Sequence, residues 1–222
     1  MDISFLLPSN TKDRDPKDFV LKSIEAINNL KCLDRFEYEI CVFSQDKIEG
    51  DNVRWLEEET FADGCATSYN ELAKFAKGKY FIQSGDDYYF DENLSTAIDL
   101  LESDIYKDRQ LKLLVLGTDN GLGSFMPRGY PKYAVCRYPI IARETIMQHM
   151  NGHMFHPSFK NHYADNWLGY WVTTCFDETI VEVWNTVIHI GPPTSYNTHN
   201  DHDFGVFRQL VEKRHQGYTG YV

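Results

Sequence analysis

Two adjacent carboxylates, Asp86 and Asp87, stand directly after the apolar run Tyr80-Phe-Ile-Gln-Ser84 and a single glycine, Gly85. Like charges held side by side repel, and each opposes ionisation of the other. A divalent cation removes that cost. Mg²⁺ or Mn²⁺ takes carboxylate oxygens and keeps positions for water and for substrate phosphates. Gly85 permits a tight turn or a close backbone approach to a ligand. A bare Asp-Asp pair is more often a solvated turn, but after a buried strand metal–phosphate binding is the better reading. Two further polar clusters end apolar runs: Pro8-Ser9-Asn10 and Ser44-Gln45-Asp46. In an open parallel sheet, ligands bind beyond the carboxyl ends of the strands, so the three clusters together mark the expected site.

The elements that must carry these clusters are legible in the pattern of residue types. Residues 3–7 form a short apolar run stopped by a Pro-Ser-Asn turn, the mark of a buried strand. Asp15 and Pro16 suit the cap and first position of a helix, and Phe19, Val20, Ile24 and Ile27 follow at helical spacing. Strands are expected over 38–43 and 53–55, a helix over 68–77 stopped by Gly78, a strand over 79–84, and a helix over 91–101 capped by Asp91. Such alternation predicts an α/β fold with a mainly parallel central sheet flanked by helices. Beyond it the pattern is less regular. Strands are expected over 111–116, 134–138 and 179–188, helices over 143–150, 163–172 and 203–213, and a glycine-rich loop over 117–131. One domain spanning 1–222 fits a chain of this length, at roughly 100–200 residues per domain.

Composition narrows the classes of function. The net charge is −11, from 33 acidic and 22 basic residues, which suits a nucleic-acid backbone poorly. A small phosphate ligand remains compatible, because a bound metal inverts the local sign. The longest apolar runs fall far short of the ~20 residues of a membrane span. The opening Met1-Asp-Ile-Ser-Phe lacks a basic leader, so a cytoplasmic setting is expected. Five cysteines, with no Cys-x-x-Cys, read as reduced thiols, several of them core fillers.

Order and spacing over residues 3–94 carry a resemblance. Leu7-Pro8-Ser9-Asn10 ends the first strand, and Glu39-Ile-Cys-Val-Phe-Ser44-Gln45-Asp46 closes the second. Gly64, Tyr69-Asn70 and Ala76-Lys77-Gly78-Lys79-Tyr80 then lead into Gly85-Asp86-Asp87. This series resembles the nucleotide-sugar-binding half of a GT-A glycosyltransferase, family 2 in particular. The resemblance implies a GT-A (Rossmann-like, nucleotide-diphospho-sugar transferase) fold, with residues 1–105 on the donor side and 106–222 on the acceptor side. It implies transfer of a sugar from a UDP- or GDP-sugar to a hydroxyl of a glycan or other acceptor, with inversion. Pro8, Ser9, Asn10, Gln45, Asp46, Asn70 and Asp86 would border the nucleotide. Asp86 and Asp87, a variant of the family's Asp-x-Asp motif with Gly85 in its first place, would hold Mn²⁺ or Mg²⁺ against the diphosphate. The base-binding acidic pair falls on Ser44-Gln45, with Asp46 one place late.

An inverting enzyme also needs a carboxylate to deprotonate the acceptor hydroxyl. The family places this base near the start of a helix after the metal motif, and Asp165 in Tyr163-Ala-Asp-Asn-Trp-Leu-Gly169 matches best. Trp167, Tyr170 and Trp171 beside it would offer flat surface to a sugar. The competing reading makes Asp165 a helix N-cap with a core Trp behind it. Asp177 and Glu178 are reserves. Many GT-A enzymes add a C-terminal His to the metal shell, which here points to His189, with His199 and His202 as rivals and a plain core histidine as the alternative.

Other patterns carry less. His149, His153 and His156 suggest zinc, but Gly152 interrupts the helix and no Cys completes a ligand set. Gly117 to Gly123 lacks the Lys-Ser/Thr of a phosphate-binding P-loop and reads as an acceptor-side loop. Arg128, Arg137 and Arg143 read as surface residues more readily than as diphosphate ligands. Ser84-Gly-Asp-Asp is similar to the metal motif of viral RNA polymerases, a nucleotidyltransferase reading that this short, acidic chain fits badly. A catalytically silent nucleotide- or sugar-binding domain is the other alternative.

Overall fold

Consecutive residues of the first strand are buried on opposite faces, and this arrangement explains most of the architecture. Ile3, Phe5 and Leu7 pack into one apolar cluster and Leu6 into another, each with no exposed surface. A strand buried on both sides belongs inside a sheet covered by helices on both faces. In the computed structural model, which describes residues 1–9, 16–58, 64–86, 88–118, 136–176, 180–189 and 200–222 (backbone alone at 16–18, 118, 189 and 200), that is what forms.

The elements run β1 (Ile3–Pro8), α1 (Pro16–Asn28), β2 (Tyr38–Ser44), β3 (Val53–Glu57), α2 (Cys65–Phe75), β4 (Tyr80–Gln83), β5 (Tyr88–Phe90) and α3 (Leu94–Glu102). They continue with α4 (Asp104–Lys107), β6 (Leu113–Thr118), β7 (Pro139–Ala142), α5 (Arg143–His149), α6 (Ala164–Cys175), β8 (Val181–His189) and α7 (Asn200–His215). The strands form one sheet in the order β3-β2-β1-β4-β7-β6-β8-β5, which draws on both halves of the chain. β1 pairs in parallel with β2 and β4, and β2 with β3. One face is covered by α1 and α3 through Val20, Ile24, Ile27, Ala97, Ile98 and Leu101. The other is covered by α2, α6 and α7 through Leu72, Ala73, Trp167, Trp171, Phe207 and Leu210.

The second half departs from simple alternation. β7 runs antiparallel to both β4 and β6, and β5 runs antiparallel to β8, while β6 and β8 are parallel. The sheet is therefore mixed at this end. The strand expected over 134–138 is displaced: residues 136–138 lie outside any strand and β7 starts at Pro139. The reason is local. Tyr138 adopts φ 52°, a left-handed conformation that a strand cannot contain, and Pro is suited to the first position of a strand. Asp91 does not cap α3 directly; its carboxylate accepts the Asn93 N–H at 3.0 Å in the turn before the helix. Among the described residues, no helix is long and apolar enough to cross a membrane.

At the edge of the sheet where β1 and β2 begin, a buried ion network ties the strands together. Glu39, 2% exposed, accepts hydrogen bonds from the Ser4 hydroxyl, the Arg54 guanidinium and the Lys77 N–H, all at 2.6 Å. The Gly78 N–H donates to Ser4 Oγ at 2.8 Å. Burial pushes the Glu39 carboxyl up, but the bonds from Ser4, Arg54 and Lys77 outweigh it and hold it below its usual range. A carboxylate so depressed stabilises the fold above its unfolded pKa, and the contribution disappears as pH falls through the folded value. Glu39→Ala is expected to cost roughly 3 kcal/mol at neutral pH, since Arg54 loses its partner. Urea unfolding should show this, with the gap between wild type and variant narrowing in acid.

Candidate active site

Parallel pairing brings the carboxyl ends of β1, β2, β3 and β4 to one edge, and the polar residues that follow them meet there. The Ser9 hydroxyl, on a residue only 4% exposed, donates to Asp86 Oδ2 at 3.1 Å. The turn carrying Asp86 is held from below: Ser84 donates its N–H to the Leu6 carbonyl at 2.9 Å and accepts the Tyr69 hydroxyl at 2.7 Å on its own carbonyl. Gln45 donates to Glu58 Oε2 at 2.8 Å, and Ser44 fixes the neighbouring turn by donating to the Asp46 carbonyl at 2.8 Å. Asp46 itself is exposed.

Glu58 is a residue that reading the sequence missed. It is 7% exposed, and its N–H donates to the Ser44 carbonyl at 3.1 Å, so it lies at the same sheet edge as Gln45. Its signal was the acidic run Glu57-Glu58-Glu59, one residue beyond the expected third strand.

Asn10 and Asp87 lie outside the described residues, as do Arg128, Asp177, Glu178 and His199. For His189 the backbone is described: β5 and β8 pair so that His189 faces Tyr88, the residue after Asp87. Among the described residues, no group of three or more His, Cys, Asp or Glu gathers as a ready metal site.

A cavity of about 440 Å³ opens beside this edge. Its walls come from the start of α2 (Cys65, Ala66, Tyr69), the end of β4 (Gln83), Arg137 and Tyr138, Phe155, and the strip 161–166. Asp165 is in that strip. Burial pushes its carboxyl above the ordinary value, partly offset by the charge of Arg137, the Asn166 N–H at 2.9 Å, its own N–H and His162. A desolvated carboxylate in a cleft is a candidate proton acceptor. Gln83 Oε1 is buried in the wall with no hydrogen-bond partner among the described residues.

The competing roles for these residues can now be sorted. Asp165 is not a helix cap: α6 starts at Ala164, and the cap position belongs to Tyr163, at φ 59°. Its aromatic neighbours do not offer a sugar platform. Trp167, Tyr170 and Trp171 are at most 3% exposed, and the two indole N–H groups are spent on the Tyr221 and Thr219 carbonyls. Arg137 is a cavity residue, not a surface one, whereas Arg143 is exposed.

Asn70 requires a correction. Its carboxamide is 4% exposed and makes a reciprocal pair with the Phe155 backbone, donating to the carbonyl at 2.8 Å and accepting the N–H at 2.9 Å. It ties α2 to the loop behind the cavity and does not reach toward a nucleotide. The histidines at 149, 153 and 156 do not converge as zinc ligands either. His149 packs edge-on to Phe176, while His156, 5% exposed and lowered to about 4 by burial, lies among Phe159, Trp167 and Tyr221. His202 is exposed and reaches the Ser158 carbonyl at 3.2 Å.

The strand order and the layers of helices define a GT-A fold, and solved structures agree. The chain aligns with the crystal structure of S. aureus TarS 1-349 at TM-score 0.62 and 13% identity, over 95% of this chain and 64% of that one. The TarS complex with UDP-GlcNAc gives 0.61 at 13% identity, covering 95% and 65%, and the complex with UDP gives 0.60 at 13%, covering 95% and 64%. This chain thus spans somewhat less than two thirds of the TarS 1-349 length. At such identity the likeness establishes the fold. No protein-family model and no curated protein matches the sequence.

Gly64 is the residue on which the cavity wall turns. At φ 84° and ψ 175° it occupies a region reserved for glycine. A Cβ there would lie 2.5 Å from both Asn161 Oδ1 and the Lys160 carbonyl. Gly64→Ala should destabilise the protein by at least about 2 kcal/mol, read as a lower thermal midpoint.

Proposed function

We propose that the chain is a glycosyltransferase that moves a sugar from a nucleotide-diphosphate donor to an acceptor hydroxyl, with inversion. The observation that carries this reading is the desolvated Asp165 carboxylate in a cavity whose wall includes Gln83, at the end of β4 and three positions before Asp86. Residues 1–105 serve the donor side. The cavity for the acceptor draws on both halves, since Cys65, Tyr69 and Gln83 join Arg137 and Asp165 in its wall.

In this mechanism Ser9 and Asp86 orient the donor at the carboxyl edge of β1 and β4, and the Gln45–Glu58 pair borders the base. Asp165 accepts the proton of the acceptor hydroxyl as the new bond to the sugar forms and the nucleoside diphosphate departs. Its raised proton affinity suits a base that must draw a proton near neutral pH. Arg137 and His162 limit the rise. Mn²⁺ or Mg²⁺ would be held by Asp86, Asp87 and His189. Support comes from the oxygen and imidazole donor types and from the β5–β8 pairing of Tyr88 with His189. When bound, such an ion neutralises charge on the diphosphate leaving group. The TarS complexes with UDP-GlcNAc and UDP make a UDP-sugar the first donor to test.

Thermal shift with UDP-, GDP-, CMP- and dTDP-sugars, each with and without Mn²⁺, tests donor binding, because ligands of the native state raise its melting temperature. Asp87→Ala should abolish the Mn²⁺-dependent part of that shift; an undiminished shift would remove the metal assignment. Asp165→Asn should keep the donor shift and lower kcat by about 10²- to 10⁴-fold. The base must be ionised to work and its carboxyl is pushed up, so activity should fall on acidification at a higher pH than an exposed aspartate would dictate. A pH–rate profile of the wild type checks the sign.

A further inference from the structure

Outside the groups assigned above, one buried charge acts directly on the wall of the cavity. Asp203, in the first turn of α7, has no exposed surface. Its carboxylate accepts three consecutive backbone N–H groups: Lys160 on Oδ1 at 2.9 Å, and Asn161 and His162 on Oδ2 at 2.8 and 2.7 Å. Three donors on one carboxylate make a charge-assisted clamp, stronger than the same bonds to a neutral acceptor.

The strip it grips has two further attachments. Toward α2, the Asn161 side chain accepts the Cys65 N–H at 2.7 Å and the Lys160 carbonyl accepts the Ala66 N–H at 2.9 Å. Toward α6, the strip passes through Tyr163 in its left-handed conformation and reaches Asp165 two residues later. Tyr163 in turn packs on Phe204 and Phe207 of α7, with ring centroids 5.5 and 5.9 Å apart. The same carboxylate therefore holds the residues that cap α2, the cavity wall at Asn161 and His162, and the entry to the helix that bears Asp165.

We propose that Asp203 is a positioning residue that aligns Asp165 for proton transfer by clamping residues 160–162; the link to catalysis rests on the function proposed above. The chemistry requires an ionised carboxylate. An asparagine has one acceptor oxygen, and its NH₂ would face a backbone N–H, donor against donor. Catalytic geometry is sensitive at this level, since a misplacement near 1 Å costs about 10²-fold in rate. The aromatic packing of Tyr163 and the Lys160–Ala66 bond remain when the clamp is lost, so the strip shifts without unfolding.

The test compares wild type, Asp203→Asn and Asp203→Glu, the last keeping both oxygens and the charge one methylene further out. Three quantities are read: backbone hydrogen exchange in the peptide containing 160–166, affinity for a UDP-sugar, and kcat for its transfer or hydrolysis. In Asp203→Asn, exchange in that peptide should speed up, donor affinity should hold, and kcat should fall by about 10- to 100-fold. Asp203→Glu should recover part of the exchange protection and part of kcat; if Asp203→Asn does not fold, Asp203→Glu against wild type carries the same comparison. Unchanged kcat alongside faster exchange overturns the proposal, as does a loss of kcat and donor affinity in step with folded protein. Should wild type neither bind nor turn over any nucleotide-sugar, the proposed function fails by itself. The clamp is then judged on exchange alone, and unchanged exchange overturns it.

Discussion

Parallel pairing of β1 with both β2 and β4 is the constraint from which the site follows. A strand cannot join a parallel neighbour by a tight turn, so the chain must cross over a face of the sheet each time. Those crossovers supply α1 and α2, one on each face, and bury the strands on both sides. They also leave the carboxyl ends of β1, β2, β3 and β4 at a single edge. The polar residues that stop the strands are thereby gathered without any of them being close in sequence: Ser9 meets Asp86, and Gln45 meets Glu58.

The same sheet separates two carboxylates whose surroundings act in opposite directions. Glu39, near the start of β2, receives three short hydrogen bonds including one from Arg54, and their sum outweighs its burial. Asp165, beside the opposite edge, accepts backbone N–H groups and feels Arg137 and His162, and there burial prevails. Donor count decides which way each group moves. A fully satisfied acid is a structural tie; an acid left short of donors in a cavity keeps an appetite for a proton. Asp203 belongs with the first kind in its saturation, yet its three bonds end on the strip that leads to the second.

The donor half of the chain was legible because its signals are local. Apolar runs closed by Pro8-Ser9-Asn10, Ser44-Gln45-Asp46 and Gly85-Asp86-Asp87 mark strand ends, and helical spacing marks what lies between. The acceptor half was harder. β7 starts late because Tyr138 turns left-handed, which no propensity announces. In the donor half, β5 escaped because it has only three residues, too few to show a period. Asn70 matched a motif in type and spacing, but motif spacing does not say which way a carboxamide faces, and here it faces the Phe155 backbone. Trp167 and Trp171 likewise share a helix with Asp165 but point into the core.

What the sequence determined alone was the alternation of strand and helix, the parallel edge and the residue types standing at it, because each depends on neighbours a few positions apart. Only the tertiary structure decided that Arg137 and Asp165 share one cavity, that Glu58 sits beside Gln45, and that Asp203 holds residues 160–162. Those relations join positions 13 to 43 residues apart. They exist only once the sheet has formed and α6 and α7 have packed on it, since burial and donor count are properties of the assembled surroundings and not of any one segment.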